Sequence, residues 1–333
     1  MCAMDPAHKS RVVKALAVSL GFERCGIAPA APIGRSDYLA AWLSAGRAGS
    51  MEYLHRYFNS RADPAELLPG AKSAIVAALV YKQPPPAEAR DAQAHGRVAM
   101  YAWGDDYHDV IRAKLRQLED KLREAIAEPF ETRVCVDTAP VVERELAAAA
   151  GIGWIGKNTM VLHQDLGSYF FLGAVVTTLE LEPDAPVQDH CGTCTACLEA
   201  CPTQAFPVAY EMDASRCISY LTIEHRGDIS RPFQEMMGDW IFGCDVCQDV
   251  CPFNRHAPTT REPRFAVRSP GPTSDLEAVL AWSPEDYRAA VRGSAMTRAK
   301  LDMFQRNARI ALTNIEVVAS DVQETPNASV PQM

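Results

Sequence analysis

Cysteines are the residues of this 333-residue sequence whose spacing indicates chemistry most directly. Eight of the eleven cysteines fall into two runs, each closed by Cys-Pro: Cys191, Cys194, Cys197 and Cys201, then Cys217, Cys244, Cys247 and Cys251. The first run spells CxxCxxCxxxCP and the second ends in CxxCxxxCP, which is the spacing of bacterial two-cluster ferredoxins. The sequence therefore predicts two [4Fe–4S] clusters and the transfer of single electrons.

In such ferredoxins the last cysteine of each run binds the opposite cluster. This rule assigns one cluster to Cys191, Cys194, Cys197 and Cys251. It assigns the other to Cys201, Cys217, Cys244 and Cys247. Zinc is the alternative, but tetrahedral zinc sites explain the repeated CxxCxxxCP run poorly. The leftover thiols are expected to be small apolar residues: Cys2, Cys25 and Cys135.

Composition limits the class of protein. Hydrophobic residues make up 48% and charged residues 23%, as in ordinary soluble domains. Residues 169–181, the longest apolar stretch, are too short to cross a bilayer as a helix, and the N-terminus lacks a secretory pattern. We therefore expect a cytoplasmic protein without a membrane partner, in which cysteines bind metals rather than form disulfides. The net charge of −9 still allows a local basic patch.

Helical and strand-like segments alternate over residues 1–183, which favours an α/β domain with a central sheet. Helices are expected near residues 6–20, 107–128 and 141–150. Strands are expected at residues 73–81, 133–136 and 170–181, and a loop or linker at the Pro- and Ala-rich residues 83–96. A GxGxxG motif starts at Gly151 but follows a helix, so we reject a dinucleotide site and interpret Gly151 as a helix C-cap.

The composition changes after residue 183. Residues 184–258 hold the cysteine runs and are predicted to form a ferredoxin-like module. Residues 259–320 begin with a Pro- and Arg-rich connector and are otherwise expected to be helical. The polar residues 321–333 are expected to be disordered.

Several segments outside the cysteine runs resemble the epoxyqueuosine reductase family. They are residues 135–162 (CVDTAPVVERELAAAAGIGWIGKNTMVL), Arg61 in NSRADP, residues 102–108 (AWGDDYH) and residues 221–227 (LTIEHRG). The resemblance extends to about residue 312 and includes the cluster motifs. The family is similar in its core to reductive dehalogenases. The resemblance implies an α/β cobalamin-binding domain, a ferredoxin-like two-cluster module and a short α-helical C-terminal region.

The resemblance also implies a reaction and its cofactors. The enzyme would remove the epoxide oxygen of epoxyqueuosine at the wobble position of a tRNA, giving queuosine in the last step of its synthesis. Cobalamin would lie between the α/β domain and the clusters. An external low-potential donor would reduce the clusters, and the enzyme would act as a monomer.

Asp137 would be the proton donor, because oxygen leaves carbon poorly unless it is protonated. Its apolar neighbours predict that burial raises the pKa of its carboxyl, although a cap for the helix near residue 141 is the alternative. A surface position before a turn is the alternative for Arg61. The family resemblance implies these cobalamin contacts: Arg61, Met100, Asp137, Val161, Leu172, Ser219, Thr222, Gly243, Cys244, Asp245, Val246 and Cys247.

A tRNA substrate needs a positive surface for its phosphates. Between residues 288 and 309, Asp302 is the single acidic residue among six basic ones: Arg288, Arg292, Arg298, Lys300, Arg306 and Arg309. This imbalance favours a tRNA-binding patch, and a solvated helix face is the alternative.

Two other functions remain open from the residues alone. A dehalogenase-like cobalamin reductase would share both cofactors, but the basic C-terminal stretch and the missing secretory signal argue against it. An electron-carrying iron–sulfur subunit would need only the clusters, and it leaves the α/β domain unexplained.

Overall fold

The computed structural model describes residues 4–84 and 94–324 of the chain. In chain order the strands are β1 (Arg24–Pro29), β2 (Ser73–Val80), β3 (His95–Val98), β4 (Thr132–Cys135), β5 (Trp154–Ile155), β6 (Val161–Leu162), β7 (Phe170–Thr177), β8 (Trp240–Phe242) and β9 (Thr273–Asp275). The α-helices are α1 (Pro6–Ser19), α2 (Ser36–Ser44), α3 (Glu52–Arg56), α4 (Phe58–Ala62), α5 (Tyr107–Ala125), α6 (Glu143–Ala149), α7 (Ala196–Glu199), α8 (Ile218–Ile223), α9 (Arg231–Met236), α10 (Val246–Asp249), α11 (Leu276–Ala281), α12 (Pro284–Val291) and α13 (Leu301–Glu324).

The central sheet has the strand order β1-β2-β7-β4, and all its neighbouring strands are antiparallel. Every residue of β2 is buried, because helices cover both faces of the sheet. Ile75, Ala77 and Leu79 pack with α1 and α5, whereas Val76 and Ala78 pack with α6. The alternation of elements predicted this sheet but not its antiparallel strand direction, because an apolar run indicates burial on both faces and not direction.

Helix α5 packs against β7, and this packing sets the distance between the first turn of α5 and the sheet. Ile111 and Leu115 are fully buried in this contact. Gly173 of β7 makes the close approach possible, because a Cβ there would lie 2.6 Å from Ile111 Cγ2. The predicted helix is confirmed, and it ends three residues earlier than expected, at residue 125 instead of 128.

A second sheet, with the order β8-β3-β9, joins distant parts of the chain. Strand β3 is parallel to β8 and antiparallel to β9, so Arg97 pairs with Trp240 on one side and Thr273 on the other. The three regions predicted from the sequence each contribute one of these strands. Residues 95 and 96, predicted to end a loop, belong to β3, and residues 85–93 of that loop lie outside the described residues.

Helix α13 covers the second sheet, in a C-terminal region that is helical as predicted. The Phe304 ring stacks on Phe242 of β8 with centroids 5.7 Å apart. Asn307 Nδ2 donates to the backbone oxygens of Thr222 and Ile241 at 3.0 and 2.9 Å. The backbone stays helical to residue 324, so disorder is wrong for residues 321–324, and residues 325–333 lie outside the described part. Within the described ranges, no helix has both the length and the apolar character of a membrane span.

The GxGxxG segment follows α6 as expected for a helix terminus. Gly151 has a φ of +68°, and a Cβ there would lie 2.6 Å from the Ala185 backbone oxygen. Strands β5 and β6 then form an antiparallel pair, so the segment lacks the strand–turn–helix order of a dinucleotide site. The rejection of a dinucleotide site is confirmed. The C-cap itself is Ala150, and Gly151 is the residue after it, in the left-handed conformation that ends the helix.

Two of the three leftover cysteines lie in the described residues. Cys135 is fully buried and Cys25 is partly buried. Burial raises the pKa of each thiol to about 12, so neither is a nucleophile near neutral pH. Cys2 lies outside the described residues.

Glu262→Gln is expected to destabilise the fold. The buried Glu262 carboxylate pairs with Lys114 Nζ of α5 and with Arg264 Nε, both at 2.8 Å, and so fastens the connector to α5. A neutral amide leaves the buried ammonium without its counter-ion, which costs about 3 kcal/mol in free energy of unfolding. Urea denaturation would measure this loss. The control Glu180→Gln, which removes an exposed pair with Lys72, should cost less than about 1 kcal/mol.

The same pair predicts an acid sensitivity. Burial would raise the pKa of Glu262, but hydrogen bonds and charge from Arg264 and Lys114 lower it from 4.5 to about 2. Its stabilisation is therefore complete above pH 4.5 and is lost as the pH falls toward 2. Equal acid sensitivity in wild type and Glu262→Gln would contradict this assignment.

Candidate functional site

The first turn of α5 and the loop after β4 meet at an imidazole held between two carboxylates. His108 Nδ1 lies 2.6 Å from Asp106 Oδ1, and His108 Nε2 lies 2.9 Å from Asp137 Oδ2. Asp106 also caps α5 by accepting the backbone N–H of His108 at 3.0 Å. We call these three residues the Asp–His–Asp triad. Asp137 has a φ of +47°, a strained conformation for this residue type that is concentrated at functional loops.

The triad favours a charged imidazole. Burial would lower the pKa of His108, but the hydrogen bonds and charges of Asp106 and Asp137 raise it to about 9. Burial would raise the pKa of Asp137, but the hydrogen bond and charge of His108, then Tyr107 and Arg298, lower it on balance. The expectation of a raised pKa at Asp137 is therefore wrong, because its side chain is 60% exposed and has a cationic partner.

Asp137 does not cap a helix. Helix α6 begins at Glu143, its N-cap is Val142, and no side chain caps it. The Asp137 carboxylate instead bonds to His108. The capping alternative is therefore wrong.

A second charged pair lies on one side of the triad. Arg298 binds both oxygens of Glu224, at 2.7 and 3.0 Å, and its guanidinium lies 5.5 Å from the centre of the Tyr53 ring. Burial, then the charges of Glu224 and Asp137, raise the pKa of Tyr53. Helix α3, the end of α8 and the turn before α13 thus contribute groups close to Asp137.

Arg61, at the end of α4, is buried rather than on the surface. Its Nη1 donates to the backbone oxygen of Val141 at 3.3 Å. Its Nε is buried and has no hydrogen-bond partner among the described residues. A buried donor left unpaired costs about 1–3 kcal/mol, so this N–H suits a bound group that offers an amide or phosphate oxygen. The alternative of a surface arginine is wrong.

The other predicted cofactor contacts fall into two groups. Val161 and Leu172 pack together on the α6 side of the central sheet. The rest lie near α8 and the second cysteine run: Met100, Ser219, Thr222, Gly243, Cys244, Asp245, Val246 and Cys247.

Several of this second group already bond to one another. The fully buried Thr222 Oγ1 donates to Ile218 O at 2.9 Å and accepts the Gly243 N–H at 2.9 Å. The buried Asp245 carboxylate accepts the Met100 N–H at 2.6 Å. These bonds fix the chain that leads into the second cysteine run, so Thr222 and Asp245 position neighbouring groups.

The first predicted set of cluster cysteines comes together in the structure. Burial, then the charges of Cys251, Cys191 and Cys194, raise the pKa of Cys197 to about 11. Trp154 Nε1 donates to Cys191 Sγ at 3.4 Å, a bond of the kind that tunes the potential of a cluster. Cys194 is exposed, so this group reaches the surface.

The second set is grouped in the same way, and none of its four cysteines is exposed. Burial, then the charges of Cys217, Asp245 and Cys201, raise the pKa of Cys244. Burial, then Cys217 and Cys244, raise the pKa of Cys247. Bound iron would displace the proton of each thiol, because the thiolate is the metal ligand. Both groups agree with the pairing rule used for the sequence, and the individual ligands remain a prediction.

A zinc ion and a cubane place different demands on the spacing of their thiols. All ten described cysteines are free, and within residues 4–84 and 94–324 no three His, Cys, Asp or Glu side chains are grouped as one ion requires. A zinc ion draws four sulfurs to about 2.3 Å from one centre. The four irons of a cubane each take one cysteine, which keeps the sulfurs farther apart. The close grouping expected of a single zinc ion is not found among the described residues.

The predicted basic patch is smaller than its charge count suggests. Arg306 donates to three backbone oxygens around the end of α8, so it stabilises the fold and is removed from the predicted tRNA contacts. Arg298 pairs with Glu224, and Arg288 pairs with Glu285. Three exposed cations of the stretch have no ion pair within the described part of the chain: Arg292, Lys300 and Arg309.

Sequence reasoning did not single out Asp106 or His108. Both lie in the AWGDDYH segment, which served only as part of a family resemblance. The available signal was Asp-x-His at the start of an amphipathic helix, because an N-cap carboxylate can bond to a side chain two residues later. Their contact with Asp137 required the tertiary structure.

Two groups of cluster-type thiols and an acid–base triad define an iron–sulfur oxidoreductase. Two family profiles match the chain, "Epoxyqueuosine reductase QueG, DUF1730" at residues 61–138 and "4Fe-4S double cluster binding domain" at residues 190–254. The chain belongs to the epoxyqueuosine reductase family. Epoxyqueuosine reductases from Xanthomonas campestris and Pseudomonas aeruginosa are 39% and 40% identical to it, over 93% of this chain and 88% and 86% of theirs.

Solved structures of the same family are similar over most of the chain. An epoxyqueuosine reductase with an epoxyqueuosine-modified tRNA stem loop matches with a TM-score of 0.86 and 32% identity, over 93% of this chain and 82% of that one. A Bacillus subtilis epoxyqueuosine reductase, with a catalytic aspartate loop swung out of the active site, matches with a TM-score of 0.85 and 32% identity, over 94% and 83%. The family-model match adds the two-cluster domain, so the chain carries two [4Fe–4S] clusters.

Asp106→Asn is expected to lower the pKa of His108 from about 9, because it removes one of the two carboxylates that hold the imidazolium. Histidine side-chain NMR across pH 5 to 10 would measure the change. The stabilisation from His108 is complete below pH 6.5 and is lost as the pH rises through about 9, so the variant should lose this dependence in part. Asp109→Asn, on the same helical turn and paired with Arg112, is the control. An unchanged His108 titration in Asp106→Asn would refute the assignment.

Proposed function

We propose that the protein reduces epoxyqueuosine to queuosine at the wobble position of a tRNA, with cobalamin as the reactive cofactor and the two clusters as its electron supply. The observation that carries the proposal is the Asp–His–Asp triad, a proton source in the same chain as two one-electron carriers. Membership of the epoxyqueuosine reductase family, and a relative solved with a modified tRNA stem loop, support the substrate.

The overall reaction fixes what the protein must supply. Converting an epoxide to an alkene breaks two C–O bonds, consumes two electrons and two protons, and releases water. The clusters deliver electrons singly, and an external low-potential donor renews them at the group that includes the exposed Cys194. We further propose a monomer that works in the cytoplasm.

Arg61 fits the proposed cofactor best among the described residues. Its unpaired buried Nε would bond to an oxygen of cobalamin, whose cobalt would supply low-potential electrons to the epoxide. Val161 and Leu172 would contribute apolar contacts on one side. Met100 would contribute an apolar contact on the cluster side. Ser219 and the backbone of residues 243–247 would contribute polar contacts there, positioned by Thr222 and Asp245.

The triad changes the expected route of the proton. Asp137 is ionised before the reaction, since the pKa of its carboxyl is lowered, and His108 carries the mobile proton. His108 Nε2 passes this proton to Asp137 Oδ2 as negative charge grows on the epoxide oxygen, and Asp137 delivers it. Asp106 holds the imidazole in place. The Bacillus subtilis relative whose catalytic aspartate loop is swung out of the active site supports a catalytic role for the loop that bears Asp137.

Asp137→Asn is expected to reduce kcat for epoxyqueuosine by about a hundredfold or more, because an amide cannot accept and deliver the proton. Nucleoside analysis of tRNA after reaction with a reduced, cobalamin-loaded enzyme would measure the product. Iron content and the absorption of bound cobalamin serve as controls that both cofactors are retained. Near-normal turnover with both cofactors bound would refute the role of Asp137.

The tRNA would bind at the exposed cations of the C-terminal stretch, Arg292, Lys300 and Arg309. Arg292→Glu with Lys300→Glu should weaken binding of an anticodon stem loop and reduce the salt dependence, log Kd against log salt, by about one per lost phosphate contact. Lys72→Glu, a reversal on the central sheet domain, is the control. Unchanged affinity and salt dependence in the double variant would assign this stretch to a solvated face.

A further inference from the structure

Glu143 is a charged residue beside the triad that the proposed mechanism has not yet used. It is the first residue of α6, six positions after Asp137. Its Oε1 is fully buried and has no hydrogen-bond partner within the described residues. A buried, unpaired carboxylate oxygen is costly, whereas a protonated carboxyl avoids most of that cost.

The surroundings of Glu143 favour the protonated form. Burial, then the negative charge of Asp137, raise the pKa of Glu143 to about 7, while hydrogen bonds from the backbone N–H groups of Glu143 and Asp137, then the charge of Arg61, act in the opposite direction. The Glu143 carboxyl therefore lies against the backbone of Asp137, whose carboxylate bonds to His108, and both Glu143 and His108 can hold a proton near neutral pH.

The proposed reaction consumes two protons, so a proton held by Glu143 could be the second of them. Both protons end on one oxygen atom: the first when one C–O bond breaks to give an alkoxide, the second when the other breaks to release water. Asp137 can deliver both only if it regains a proton within the turnover. The imidazole of His108 supplies one, so a second supplier is needed while bound tRNA covers the site.

We propose that Glu143 is this second supplier and passes its carboxyl proton to Asp137 between the two bond-breaking steps. This inference rests on the proposed function. Glu143 becomes a carboxylate in the transfer and is reprotonated from solvent before the next turnover, so protons balance. Glu143 does not touch the substrate; it acts through Asp137, as a residue that positions and renews a proton.

The matched variants are Glu143→Gln and Glu145→Gln. Glu145 lies two residues later on α6 and is also half-buried, but its carboxylate lies 3.8 Å from Arg35 and not beside the triad. We expect Glu143→Gln to lower kcat about tenfold or more at pH 6.5 with KM unchanged, and Glu145→Gln to change kcat less than twofold. Wild-type kcat should fall as the pH rises through about 7, and Glu143→Gln should lose that step. Glu143→Asp should restore part of the rate.

Infrared titration of the cluster-loaded protein tests the same carboxyl without turnover. We expect a protonated-carboxyl band near pH 7 in wild type and in Glu145→Gln, and its loss in Glu143→Gln. Asp137→Asn should move that band to lower pH, because it removes a neighbouring negative charge. A wild-type rate and pH profile in Glu143→Gln, or no band that responds to Asp137, would overturn the inference. If the wild-type protein shows the Glu143 band but does not convert epoxyqueuosine, the proposed function is wrong instead.

Discussion

The hydrogen-bonded contact between His108 and Asp137 is the interaction on which the site depends. Its two partners come from different elements, the first turn of α5 and the loop after β4. The position of α5 relative to the sheet is set by its close packing on Gly173. The imidazole can remain protonated because Asp106 bonds to its other nitrogen and caps the same helix. One carboxylate therefore sets both the start of a helix and the charge of the imidazole in the candidate site.

The iron–sulfur half of the protein could be read from the sequence because the signal is local. A cluster needs thiolates at a few fixed spacings, so CxxCxxCxxxCP carries most of the information, and the structure groups the cysteines accordingly. Helix positions were also predictable, since Leu115 and its neighbours repeat at helical spacing. Sheet direction was not, because apolar runs such as β2 do not encode it.

The acid–base residues were harder to predict from the sequence, because their contacts join residues that are far apart in the chain. Asp137 was found through a family resemblance, but its pKa depends on a histidine 29 residues away. In the sequence, Arg306 and Arg298 were counted as cations available to bind RNA. In the structure, Arg306 donates to backbone oxygens and Arg298 forms an ion pair with Glu224. A count of basic residues in the sequence therefore overestimates the number of cations available to bind RNA, because some arginines are already bonded within the fold.

The sheet β8-β3-β9 connects the C-terminal helix α13, near which we propose that tRNA binds, to the second cysteine run. Strand β8 ends two residues before Cys244, and Asn307 of α13 is bonded to the backbone of Ile241 and Thr222 in that region. Loss of the second cluster would free the chain at Cys244 and loosen the packing beneath α13.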